Sequence, residues 1–282
     1  MKCLRGGVFL QAVSDAGNEV LHVRLIVFTK SFDDAPVDRL ADAVAGTGAD
    51  GADLVVRDGQ TVTPAQPQRI GDVAKALQAN GLELGMVSTD LLVGDDLADR
   101  VIGAAADAGV RYVRPGFYKY DPHRGYRRTV DDTRRDLAGL AKVAARHGVT
   151  LALQLHHKTV HTSAALALEL LRDLDDVRLY IDPGNQVKEG SEDWRMHLDL
   201  VLDRVVCIGV KNAGWYERDG TWVPEWQPLV SGGIAPWPEI MPGLRERGYD
   251  RLFSLHAHYF DDDIVGAIRR DIDLARSLFA GP

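Results

Sequence analysis

Short apolar runs rich in β-branched residues alternate with longer segments whose apolar positions recur every three to four residues, from about Val23 to the end of the chain. The first pattern reads as strands buried on both faces and the second as helices that cover them. Strands are predicted over 23–28, 52–57, 83–88, 112–114, 150–154, 178–181, 205–210 and 252–255. Helices are predicted over 37–45, 67–80, 97–108, 130–147, 163–174, 192–202, 236–247 and 264–278. Asn80-Gly81, His147-Gly148 and Arg247-Gly248 each supply a glycine that closes a helix just before the next strand. Eight strand–helix units without a low-complexity linker predict an α/β fold, a closed (β/α)8 barrel, as one domain over 23–282 preceded by an extension over 1–22. No G-x-G-x-x-G follows the first strand, which argues against a dinucleotide fold and a nucleotide cofactor.

Side chains alternate across a strand, so parity separates the barrel interior from the helix layer. Leu151, Leu153 and Leu155 are assigned outward, leaving Ala152, Gln154 and His156 inside; His157 then faces the surface or a helix. The same rule puts Leu179 and Ile181 outside with Tyr180 and Asp182 inside. Val206, Ile208 and Val210 go outside with Cys207, Gly209 and Lys211 inside, and Ser254, His256 and His258 also point in. Active sites of such barrels lie at the carboxyl ends of the strands. Candidate catalytic residues are therefore His156, Asp182, Lys211 and His256. Candidate substrate contacts are Arg57 and Arg114, which join by parity, together with Gln154, Asn185, His258 and Trp215. Asp182 in Asp-Pro-Gly-Asn also reads as a turn starter. His22, His123, His147, His161 and His197 read as structural or solvated.

Two connections, 115–129 and 212–236, are longer than the rest and fall on that same face. They hold Phe117, Tyr118, Tyr120, Tyr126, Trp215, Tyr216, Trp222 and Trp226, a composition expected of a partly apolar lid. The net charge of -8 and the lack of a basic block argue for a small-molecule substrate and against nucleic acid. Two cysteines, Cys3 and Cys207, give no disulfide framework and imply a reducing, cytoplasmic setting. The first thirteen residues lack a convincing leader, and no run reaches the roughly 18–20 apolar residues of a membrane span. A homo-oligomer stays open.

The run from Leu151 to Thr159, the segment Tyr180-Ile-Asp-Pro-Gly-Asn185 followed by Trp194-Arg195, the strand end Val210-Lys-Asn-Ala213 and Glu225-Trp226 resemble the sugar phosphate isomerase/epimerase group of xylose isomerase-like TIM barrels. The resemblance runs from about Ala52 to Tyr259. It implies a divalent cation held by Glu, Asp, His and Glu from the fifth to eighth strands, with the glutamates moving a proton between carbons beside a carbonyl. Those positions fall here on Gln154, Asp182, Gly209 and His256, so only Asp182 keeps its type. A hard Mg2+ or Mn2+ site is thereby weakened. A softer transition metal on Asp182 and His256 with His156 or His258, Gln154 being a poorer ligand, or no metal, remains open.

The expectation is an isomerase/epimerase-like enzyme that acts on a small sugar-like or other oxygenated metabolite by proton transfer at a degenerate metal site. Histidine and Lys211 would take over the acid, base and oxyanion roles. The alternatives are a metal-independent isomerase, cyclase or lyase on a less polar metabolite, and a non-catalytic ligand-binding barrel. An abasic-site endonuclease is disfavoured by the acidic chain.

Overall fold

The computed structural model describes residues 23–190, 192–230 and 232–281; the proposed 1–22 extension, with Cys3 and His22, lies outside the described residues. Eight parallel strands close into a barrel: β1 (Arg24–Phe28), β2 (Gly51–Val56), β3 (Glu83–Thr89), β4 (Tyr112–Arg114), β5 (Thr150–Gln154), β6 (Arg178–Ile181), β7 (Val205–Val210) and, last in the ring, β10 (Leu252–Leu255), which pairs with both β7 and β1. Around it run α1 (Val37–Gly46), α2 (Arg69–Ala79), α3 (Asp96–Asp107), α4 (Tyr126–Arg146), α5 (Ala164–Leu170), α7 (Trp194–Val201), α8 (Trp237–Glu246) and α9 (Ile264–Ala280). The barrel and all eight of its strands are as the hydrophobic pattern predicts.

Two apolar layers result. Outward side chains such as Leu151, Leu153, Leu155, Leu179, Ile181, Ile208 and Val210 pack with the helices in one continuous core. Ile26, Met86, Ala152, Tyr180, Cys207 and Leu252 fill the barrel axis. Truncating one of these buried leucines to alanine costs about 2–5 kcal/mol in such a setting. Val206 corrects the parity rule, because it belongs to the inner cluster. The register of β6 against β7 slips here, Leu179 pairing with Val205 and Tyr180 with Cys207, so one residue is extra and the alternation is broken.

Three further departures bear on the mouth of the barrel. The expected 212–236 loop contains an antiparallel hairpin, β8 (Asn212–Arg218) and β9 (Thr221–Gln227), turning through Asp219-Gly220. Asp182-Pro183-Gly184 opens a short helix, α6 (Pro183–Val187), in which the Asp182 carboxylate accepts the Asn185 N–H at 2.9 Å and proline takes the first helical position. Helix α4 begins at Tyr126, earlier than the pattern indicates, which shortens the 115–129 connection. No described helix is long and apolar enough to cross a membrane.

Candidate active site

The centre of the site is Asp182, fully buried at the end of β6. Its Oδ2 accepts from Gln154 Nε2 at 2.5 Å and Asn185 Nδ2 at 2.9 Å, and lies 3.0 Å from Lys211 Nζ. Lys211, at the end of β7, is only 4% exposed. Burial lowers its pKa below that of an ordinary lysine, and the Asp182 carboxylate offsets part of that loss. The ammonium sits 4.5 Å above the Trp226 ring, so its open side is an aromatic face and the cavity.

Two neutral histidines leave different ring nitrogens free. His156 Nδ1 lies 2.9 Å from the carbonyl oxygen of His157, which can only accept, so Nδ1 carries the proton and Nε2 the lone pair. Burial, then the charge of Lys211, pull its pKa down to about 2. His256 stacks on Phe28 with centroids 4.1 Å apart and has Nε2 2.5 Å from the Tyr180 hydroxyl. Burial holds the Tyr180 phenol well above its ordinary pKa and His256 well below its own. With the phenol donating to Nε2, the neutral His256 ring carries its proton on Nδ1, a buried atom without a partner among the described residues. One ring offers a base and the other an N–H donor.

Of these groups, His156 and Lys211 line a cavity of about 480 Å³ at the carboxyl ends of the strands, walled by Phe117, His157, Trp226 and His258 and by several further lysines. A deeper recess beneath it reaches Phe28, Arg57, Gln154 and His256. The walls are tied together. Tyr120 N–H donates to Lys158 O and Val160 N–H to Tyr118 O, which joins the β4 and β5 connections, and Trp215 Nε1 donates to Val187 O at 2.8 Å, which clasps the hairpin to α6.

His156, Lys211, His256, His258, Gln154 and Arg57 thus converge on the cavity. Three other candidates are placed differently. Arg114 is fully buried, donating to Ser88 Oγ and to the carbonyls of Thr89 and Pro115, and it supports Phe117 from below at 4.6 Å. Asn185 is consumed by Asp182, Leu155 O and His157 Nδ1. Trp215 packs toward α6; Trp226, on the same face of the hairpin, takes the place at the cavity. His157 lines the cavity with His156, their rings 4.2 Å apart, because β5 ends at Gln154 and strict alternation ends with it. Of the loop aromatics, Phe117 and Trp226 face the cavity, while Tyr118 is buried with its hydroxyl on Leu92 O and Trp222 is exposed.

Sequence reasoning overlooked Asp53 on β2, fully buried in the barrel below the site, where it accepts from Ser88 Oγ at 2.7 Å and Ser254 Oγ at 2.9 Å. Burial raises its pKa. Its even spacing from Arg57 along the strand was the available signal. Lys30, Lys119, Lys158 and Lys188 were also passed over, although each closely follows a strand end.

The donors do not fit the cation that the resemblance implies. Both oxygens of Asp182 are engaged, and the ammonium of Lys211 already faces Oδ2. A Cβ at Gly209 would lie 2.8 Å from Asp182 Oδ2 and 3.2 Å from Tyr180, so the position has no room for a ligating side chain. Among the described residues no three His, Cys, Asp or Glu side chains converge as metal ligands do. A protein cation stands where a metal would be needed.

Solved structures share this architecture. A 3-keto-D-glucoside 4-epimerase from E. coli is 16% identical, with 90% of this chain and 99% of that one covered and a TM-score of 0.71. A xylose isomerase-like TIM barrel protein from Mycobacterium smegmatis, in complex with magnesium, is 19% identical over 92% and 97% of the two chains, TM-score 0.72. A D-psicose 3-epimerase from Clostridium cellulolyticum, bound to D-tagatose, is 13% identical over 91% and 99%, TM-score 0.69. No curated protein matches the sequence. At these identities the likeness establishes the fold. The family model for xylose isomerase-like TIM barrels matches residues 41–278, and the chain belongs to that family.

Proposed function

We propose that the chain is an isomerase/epimerase-like enzyme that moves a proton on a carbon next to the carbonyl of a small, sugar-like metabolite, using its own cation in place of a metal. The observation that carries this reading is the convergence on one cavity of a lone-pair nitrogen, an N–H donor and a buried ammonium: His156 Nε2, His256 Nδ1 and Lys211 Nζ. The epimerases among the structural neighbours support it.

The chemistry follows from those three groups. With the substrate carbonyl oxygen against Lys211 Nζ and His256 Nδ1–H, His156 Nε2 takes the proton from the adjacent carbon. The C–H electron pair becomes the enolate double bond, and the carbonyl pair moves onto oxygen. Fixed donors aimed at that oxygen stabilise the charge where it develops. Return of the proton to the former carbonyl carbon, with the hydroxyl proton passing from the adjacent oxygen to the enolate oxygen, isomerises the substrate. Protonation from the opposite face by a proton drawn from solvent beside His258, three strands round the barrel from His156, epimerises it, and His156 then releases its proton to solvent. A neutral histidine serving as donor while a second group serves as base is an arrangement known from other proton-transferring barrels.

The saturated shell of Asp182 favours the metal-independent version of this chemistry. Asp182 then holds Lys211 charged, and Gln154 and Asn185 hold Asp182. Incubation of ketoses and aldoses with the protein in D2O tests the reading. Wild type exchanges the hydrogen beside the carbonyl, and His156→Asn slows that exchange by about 10²–10⁴-fold while remaining folded by circular dichroism. Equal exchange by the variant would remove His156 from the mechanism. Ligand binding with no exchange or turnover in wild type would instead indicate a non-catalytic binding barrel.

A further inference from the structure

Building on the enzyme reading above, we infer that the substrate carries an anionic group, a phosphate monoester or a carboxylate, gripped at the cavity mouth by Lys30, Lys119, Lys158 and Lys188. The chain has 33 basic residues, of which only eight are lysine. Five of those eight, these four and Lys211, line one cavity; the others are Lys2, Lys75 and Lys142. Elsewhere the basic residues are arginine but for those three. The concentration is therefore specific to the site and runs against both the arginine-rich composition and the net charge of -8.

The five lysines come from five separate connections. Lys30 lies in the 3-10 turn after β1, Lys119 follows β4, Lys158 follows β5, Lys188 caps α6 behind β6, and Lys211 ends β7. Local sequence bias does not bring them together; the barrel does. Lys188 Nζ sits 3.9 Å over one Trp226 ring that Lys211 also contacts, so the indole holds two ammonium groups toward the same space. Lys158 is held at φ +61°, a backbone conformation unusual for a side-chain-bearing residue, with its N–H donated to Glu189 Oε1 at 2.6 Å. Such strain collects where a ligand is held.

Among the described residues no carboxylate lines this cavity. The nearby Glu189 is occupied by the Lys158 N–H and the Thr162 hydroxyl. Among the described residues Lys211 is the only lysine in an ion pair, so the positive charge of the mouth is unbalanced. Burial and the repulsion of Lys158 together lower the pKa of Lys188, as expected for cations assembled without a counter-charge. A small anion relieves that repulsion. An open-mouthed cavity of about 480 Å³ admits a metabolite-sized anion, and the acidic remainder of the chain repels a nucleic-acid backbone. Lysines also suit a phosphate or carboxylate as point charges on adjustable stems. Binding would act on catalysis as well, since the charge of Lys211 and other neighbouring cations adds to burial in depressing His156.

The test is a calorimetric titration of the full chain with inorganic phosphate, with malonate and with neutral D-fructose, on wild type, Lys30→Gln/Lys158→Gln and His156→Asn. Wild type and His156→Asn should bind phosphate or malonate saturably, and the double variant, still folded by circular dichroism, should bind the same anion at least about tenfold more weakly. The tighter of the two anions identifies phosphate or carboxylate as the recognised group. Absence of saturable binding by either anion, or equal binding by the double variant, overturns the inference. Turnover of neutral sugars without anion binding would leave the enzyme reading standing and remove this one. Anion binding without any proton exchange would do the reverse.

Discussion

His156 and His256 leave different nitrogens free, because a carbonyl oxygen holds Nδ1 of the first and a phenol holds Nε2 of the second. Both rings stay neutral through the physiological range because burial penalises the imidazolium form, for His156 down to about pH 2. The kcat/KM profile of the free enzyme should therefore lack the usual histidine limb near pH 6.5. It should fall on the alkaline side below pH 10.5 as Lys211, its pKa lowered by burial, loses its charge. An acid limb near 6.5 in kcat/KM would contradict the assignment of the base. At Lys158 the strained φ gives a separate expectation: Lys158→Gly should raise unfolding stability by roughly 1 kcal/mol in urea titrations while weakening anion binding.

The strands were legible because each is a short apolar run closed by a glycine or a polar turn, and parity correctly aimed Gln154, Asp182, Lys211 and His256 inward. Parity failed at Val206, where the β6–β7 register slips, and at His157, beyond the last paired residue of β5. Alternation holds only while the ladder does. Asn185 and Arg114 looked like ligand contacts because both are polar at strand ends, but sequence could not show that their donors are used up inside the protein. Asp53 is the reverse case, an interior acid whose partners Ser88 and Ser254 come from β3 and β10. Burial raises its folded pKa above 3.8, so the folded chain binds a proton that the unfolded chain has lost, and stability falls as pH rises from that value. Asp53→Asn should flatten this component of urea-unfolding stability against pH. Asp53→Leu should lose about 3–5 kcal/mol, because Arg114 is left buried without its nearby charge. A leucine variant as stable as wild type would show that this interior network contributes nothing.

At the scale of the molecule, an acidic chain closes a barrel whose mouth is the one place where its lysines gather. Such a field draws anions in and is screened by salt, so kcat/KM for an anionic substrate should fall as ionic strength rises from about 0.01 to 0.3 M, while kcat changes little. A neutral substrate should show no such dependence. On the proposed reading, the same arrangement lets the fold carry out proton transfer with Gln154, Gly209 and His256 at positions where the resemblance implies metal ligands. Lys211, fixed between Asp182 and Trp226, supplies the positive charge. The most direct measurement is deuterium exchange beside the substrate carbonyl, carried out on protein stripped with EDTA and then supplied in turn with Mg2+, Mn2+, Co2+ and Zn2+. The account expects the stripped protein to exchange at the full wild-type rate, with no metal raising it. Exchange that vanishes on stripping and returns with one of these ions would contradict it.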